Sequence, residues 1–159
     1  MCPLSTIFGF DTLVALSYFG HGRLSSRSLS QQVANQSQMQ EVMQLLRKYF
    51  DALYDGDPGI FSEIFHPNAR LFSAAEDGFL IMDFPQYLER VRGRASPASR
   101  GDRRADEILS ITIATPTTAH ARVRELLLPK HFTDELTLVC SHGRWQIVSK
   151  VWHYELVAS

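Results

Sequence analysis

Apolar residues recur along this chain first at helical spacing and then at strand spacing, and that order outlines the architecture. Val42, Leu45, Leu46, Tyr49, Phe50 and Leu53 return every three or four positions, which predicts an amphipathic helix over residues 39–55. Asp55-Gly56-Asp57-Pro58 ends it: the glycine suits a left-handed C-terminal cap, and Asp57 with Pro58 begins a second helix. That helix carries Ile60, Phe61, Ile64 and Phe65 before His66-Pro67 stops it. Residues 69–73 and 79–82 then read as a hairpin about Glu76-Asp77-Gly78. Asp83 is placed to cap a third helix, from Pro85 to Val91.

Strand patterns fill the rest, roughly over residues 105–114, 118–128, 132–140 and 144–156. Thr115-Pro116-Thr117, Pro129-Lys130 and Ser141-His142-Gly143 mark the turns between them. Helices followed by a run of antiparallel strands define an α+β fold, with helices packed on one face of a sheet. A curved sheet wrapped by three helices makes a cone, and the mouth of a cone is a natural small-molecule site. Ile108, Leu109, Ile111 and Ile113 leave the other sheet face partly apolar, and a second copy of the chain is the simplest cover.

Length and composition bound the remaining choices. At 159 residues the chain is one domain of ordinary composition. Its domain is expected over residues 39–159, with residues 1–38 as a loosely docked or poorly ordered extension whose Ser/Gln-rich end, Ser25 to Gln40, is a linker or a frayed helix start. Sixteen basic residues against seventeen acidic ones give a formal charge of −1, which argues against nucleic acid as a partner. The cluster Arg92, Arg94, Arg100, Arg103 and Arg104 is interleaved with Gly, Ser, Pro and Asp and reads as a solvated loop rather than an anion site. Cys2 and Cys140 stand alone, with no metal-ligand spacing, and point to a reducing, cytoplasmic setting. The apolar run from Leu4 to Phe19 is broken by Asp11 and fits neither a signal peptide nor a membrane span. Phosphate loops, nucleophile elbows and His-Glu-x-x-His are missing, so neither metal nor cofactor is expected.

Four segments carry a resemblance: Tyr49-Phe50-Asp51-Ala52-Leu53-Tyr54-Asp55-Gly56-Asp57, Phe65-His66-Pro67-Asn68-Ala69, Phe132-Thr133-Asp134-Glu135-Leu136-Thr137-Leu138, and Gly143-Arg144-Trp145-Gln146-Ile147-Val148-Ser149-Lys150. Over residues 39–156 the chain resembles the nuclear transport factor 2-like superfamily, and within it the SnoaL-like and lumazine-binding branches. The resemblance implies a cone-shaped α+β fold and a small-molecule pocket, on a scaffold that hosts both enzymes and binders. Alignment with the steroid isomerases of that superfamily puts Tyr49 on their oxyanion-hole tyrosine and Trp152 on their pocket tryptophan. Their second carboxyl falls near Asp134 or Glu135. Their general-base aspartate falls on Ser73, so the resemblance does not carry their mechanism over.

The candidate catalytic residues are His66, Asp134, Tyr49 and Lys150. His66 has the near-neutral pKa of a general base, or else packs against the end of the second helix. Asp134 and Lys150, on neighbouring strands, form an acid/base pair, a ligand anchor or a structural ion pair. Tyr49 on the apolar helix face needs a partner for its hydroxyl. Phe65, Phe72, Leu138, Val148 and Trp152 are expected to line the pocket, with His153 on the opposite strand face. Two readings follow. One is a cofactor-independent isomerase, dehydratase or cyclase acting on a hydrophobic or aromatic substrate. The other is a non-catalytic ligand-binding or dimeric scaffold protein, and in both cases a homodimer through the sheet face is expected.

Overall fold

The computed structural model describes residues 26–75 and 78–157. Helix α1 (Ser26–Asp55) starts thirteen residues before the expected boundary at residue 39. No glycine or proline interrupts residues 26–55, so nothing in the Ser/Gln-rich segment stops the helix once its packed half has formed. The early turns from Leu29 to Ser37 stand exposed, while Val42, Leu46, Tyr49 and Leu53 are buried along one stripe. Gln38 ties this transition to the sheet by donating to the Pro116 carbonyl at 2.8 Å. The rest of the expected extension, residues 1–25, lies outside the described residues.

Gly56 ends α1 in the left-handed region at φ +68°, and a Cβ there would come within 2.8 Å of Ser96 Cβ, so only glycine fits this crossing. Asp57 then caps α2 (Pro58–Ile64), its side chain accepting from the amides of Gly59 and Ile60. Strand β1 (Phe65–Ala75) pairs antiparallel with β2 (Gly78–Asp83). Asp83 and Gln86 form a reciprocal capping box at the start of α3 (Phe84–Arg92). A four-residue helix, α4 (Pro97–Arg100), lies in the arginine-rich stretch, which is therefore partly ordered rather than a plain loop.

Four long strands complete the chain: β3 (Asp106–Thr115), β4 (Thr118–Leu127), β5 (Lys130–Ser141) and β6 (Arg144–Leu156). The six-stranded curved, open sheet has the order β2-β1-β6-β5-β4-β3, antiparallel except where β1 runs parallel to β6. His142 and Gly143, both at positive φ, make the tight β5–β6 turn. The core fills the space between the helices and the inward sheet face: Tyr49, Phe61, Phe65, Leu71, Leu136, Leu138 and Ile147 are all fully buried.

Two bulges change which side chains face inward. On β6 the register slips between Thr137 and Leu138 of its partner, leaving Val148 as the extra residue. Ile147 and Lys150 both point inward as a result, and Val148, expected in the pocket, is half-buried at the bulge instead. A second slip between Ile108 and Ser110 turns Ile108, Ile111 and Ile113 onto the core, so β3 contributes little apolar surface to the outer face. The outer apolar patch is formed elsewhere, by Phe79 and Ile81 on β2, Phe72 on β1 and Val151 on β6.

Candidate functional site

Inward positions on three adjacent strands bring polar groups together at one end of the core. On β4 the inward sequence is Ala119, Ala121, Val123, Glu125; on β5 it is Phe132, Asp134, Leu136, Leu138; on β6 it is Lys150 and Trp152. Asp134 faces Val123 on one side and Trp152 on the other, so Glu125 and Lys150 are its diagonal neighbours. Helix α1 closes the group from above with Tyr49, which lies on the same stripe as Leu46 and Leu53.

Lys150 is the centre of this cluster. Its Nζ donates to Asp134 Oδ2 at 2.5 Å and to Tyr49 Oη at 2.6 Å. Tyr49 Oη donates in turn to the same Asp134 oxygen. Glu125 Oε1 lies 3.8 Å from Nζ, too far for a hydrogen bond. Asp134 Oδ1 and both Glu125 oxygens are shut off from solvent, and Asp134 is the acceptor within reach of a protonated Glu125. All four residues are at most 5% exposed.

Burial at this density sets the protonation states. Glu125 is pushed well above the ordinary glutamate value of 4.5, by burial first and by the Asp134 carboxylate next. Burial and Asp134 likewise push the Tyr49 phenol well up, and burial raises Tyr87. For Lys150, burial alone would lower the pKa, yet the nearby Asp134 carboxylate outweighs it and the ammonium ends above its ordinary value. The cluster is therefore a Lys150–Asp134 ion pair beside a carboxyl group whose protonated form is favoured. A neutral carboxyl can both donate and accept a hydrogen bond.

A small cavity of about 50 Å³ lies against this cluster, with Glu125, Lys150, Tyr87, Arg94 and Trp152 among its lining residues and Leu53, Met82, Leu127 and Phe132 as apolar walls. That is room for roughly three water-sized groups. Arg90, Arg94, Leu127 and Phe132 also line an adjoining vestibule of about 260 Å³, which continues over Arg100, Pro129 and Lys130.

The structure brings Tyr49, Asp134 and Lys150 together, with Lys150 on the cavity and the other two behind it. Asp134, not Glu135, takes the inward position; Glu135 is on the outer face, accepting from Arg122 at 2.5 Å. His66 is apart: its Nδ1 accepts from the Asn68 amide at 3.1 Å, and the ring does not line the cavity. Of the expected pocket residues, Trp152 lines the cavity. Phe65 and Leu138 belong to the core, Phe65 stacked on Phe84 at 5.2 Å. Phe72 points outward and stacks on Phe79, because Leu71 and Ser73 take the inward phase of β1. Ser73 donates to the Trp152 carbonyl at 3.0 Å. The sequence reading passed over Glu125, although its signal was present: it continues the apolar phase of Ala119, Ala121 and Val123, so a carboxylate was due to face the core.

A cone of helices on a curved six-stranded sheet, with polar groups at one end of its core, is the nuclear transport factor 2-like architecture. The chain belongs to the family described as "Putative lumazine-binding", whose sequence profile matches residues 37–153. Solved structures share the fold. An NTF-2 like protein of unknown function from Silicibacter pomeroyi DSS-3 superposes with a TM-score of 0.69 at 22% identity, over 76% of this chain and 98% of that one. An NTF2-like protein of unknown function from Methylobacillus flagellatus KT gives 0.65 at 27% identity, over 75% and 93%. An uncharacterized protein with a cystatin-like fold from Caulobacter vibrioides gives 0.52 at 17% identity, over 74% and 89%. No curated protein matches the chain. Among the described residues no helix is long and apolar enough to cross a membrane.

The raised Glu125 pKa makes a signed prediction. Above about 4.5 the unfolded chain releases this proton while the folded chain holds it, so the group's contribution to stability is complete below that pH and is lost as pH rises toward the folded value. Glu125→Gln removes the titration. Its stability relative to the parent, measured by urea unfolding, should improve as pH rises above about 4.5, the unfolded value; a pH-independent difference would contradict the assignment.

Proposed function

We propose that the protein binds a small aromatic or hydrophobic molecule in the cone, with the ligand's polar edge on Glu125 and Lys150 and its body in the vestibule. One observation carries this reading: two almost wholly buried ionisable groups, Glu125 and Lys150, meet at the wall of an apolar-sided cavity. A ligand that hydrogen-bonds to them there replaces contacts that the apolar walls do not supply, an exchange worth about 1–3 kcal/mol for a buried polar group. The family description supports the same class of ligand. Lumazine is a flat bicyclic ring whose edge alternates N–H donors and carbonyl acceptors, the complement of a neutral carboxyl beside an ammonium.

Acid/base catalysis by an isomerase, dehydratase or cyclase is the second reading, and Glu125 favours it over the residues expected from sequence. Asp134 Oδ2 is already engaged by Lys150 and Tyr49, and neither Asp134 nor Tyr49 lines the cavity. Glu125, whose protonated form is favoured by burial and by Asp134, is the carboxyl on the cavity that can give a proton, and Lys150 is the cation beside it for a developing oxyanion. A turnover dependent on Glu125 and preserved binding in Glu125→Gln would distinguish this reading from simple binding.

Native mass spectrometry of the purified protein, followed by titration with lumazine under tryptophan fluorescence, tests the binding reading. Trp152 lines the cavity and should report the ligand. Leu127→Trp, which fills the passage between cavity and vestibule, should weaken binding roughly tenfold or more, a loss of at least about 1.4 kcal/mol. Retained affinity in that variant would place the ligand elsewhere.

The outer sheet face supports a homodimer. Phe79 is 70% exposed, Ile81 56% and Val151 46%, and Phe72 joins them into one patch. Beside it the face presents both Arg122 and Glu135, a mixed-sign surface that suits a self-complementary two-fold contact. Ile81→Lys should convert a dimer to a monomer in analytical ultracentrifugation without unfolding it. A parent that is already monomeric at tens of micromolar would remove the proposal.

A further inference from the structure

The cavity and its vestibule carry more positive charge than their own residues neutralise. Lys150 is balanced by Asp134, and Arg100 by Asp102 at 2.5 Å. Arg90, Arg94 and Lys130 have no acidic partner within ion-pair distance among the described residues; Lys130 lies over the Tyr154 ring at 3.7 Å. The one carboxyl lining these spaces is Glu125, and its own ionisation is suppressed. Three cations thus face a space with no balancing anion.

Arg94 gives this excess a geometry. It is among the residues that line both the cavity and the vestibule. Its Nε and Nη2 are shut off from solvent and have no hydrogen-bond partner. These two nitrogens form the side-on edge of the guanidinium, whose two parallel N–H groups match the two oxygens of a carboxylate. Leaving such an edge buried and empty is costly, so its natural complement is an oxyanion supplied from outside the chain. Arg90 and Lys130 at the rim add a field that draws an anion toward the mouth.

We propose that the ligand of this cone carries a carboxylate, which Arg94 grips side-on while the aromatic or apolar body lies between Leu127, Phe132 and Trp152. This assignment rests on the cone being a small-molecule site, as proposed above, and adds the charge class of its occupant.

Calorimetric titration of the full chain at neutral pH with benzoate, benzamide and phenyl phosphate separates the possibilities. Benzoate should bind roughly tenfold to a hundredfold more tightly than benzamide, the difference that two charge-assisted hydrogen bonds make. Arg94→Gln should remove most of benzoate's advantage over benzamide, while Arg94→Lys, keeping charge without the fork, should fall between. The comparison of benzoate with benzamide on the parent protein decides the matter even where a variant fails to fold. Equal binding of the two overturns the carboxylate and leaves the cone as a neutral-ligand site. Tighter binding of phenyl phosphate than of benzoate overturns it in favour of a phosphate. Binding of none of the three up to about 10 mM overturns both the carboxylate and the cone as a small-molecule site.

Discussion

A lysine ammonium buried at the end of an apolar cone is the constraint on which the rest of this site depends. Lys150 is 5% exposed, and an unpaired ammonium in that position would be intolerable. Asp134 neutralises it and Tyr49 shares the same carboxylate oxygen, so one ion pair ties β5, β6 and α1 together. Removing one member of such a pair typically costs about 3–5 kcal/mol, whereas replacing both by apolar residues costs little. Stability alone therefore does not account for the pair. Its position on a cavity does.

Once Lys150 is paired with Asp134, the second carboxyl beside it keeps only a longer contact. Glu125 is 3.8 Å from the ammonium, and burial and Asp134 favour its protonated form. That preference has two consequences. The cavity wall gains a group that in its protonated form can both donate and accept, and Arg94 has no ion pair with the one acid that lines the cavity with it. The proposed ligand chemistry, a polar ring edge at Glu125 and a carboxylate at Arg94, is the complement of those two groups.

Much of the fold was legible because local signals and global packing agree. Gly56-Asp57-Pro58 reads as a cap followed by a helix start and behaves as one; Asp83 and Gln86 do the same for α3. The long strands followed from alternation and turn residues within a few positions. What alternation could not show was a bulge. A single extra residue at Val148 exchanges the inward set on β6, and another near Leu109 turns the β3 isoleucines onto the core. The candidate site was legible in part: Tyr49, Asp134 and Lys150 meet, since helix stripe and strand parity both place them inward. Phe72 lies one step of parity from the inward face, and His66 has its Nδ1 occupied by the Asn68 amide of its own strand. Arg94 was hidden by composition, because a Gly/Ser/Pro-rich stretch reads as solvated whatever one of its side chains does.

The neutral carboxyl at Glu125 is the central claim, and it can be observed directly. Carbon-13 NMR of side-chain carboxyls in glutamate-labelled protein, with Glu125→Gln to assign the signal, reports the protonation of this group across pH. The account predicts one glutamate resonance that keeps its protonated position to a pH well above that at which the exposed glutamates titrate, and that is lost in the variant. A Glu125 resonance that titrates with the exposed glutamates near pH 4 to 5 would contradict it.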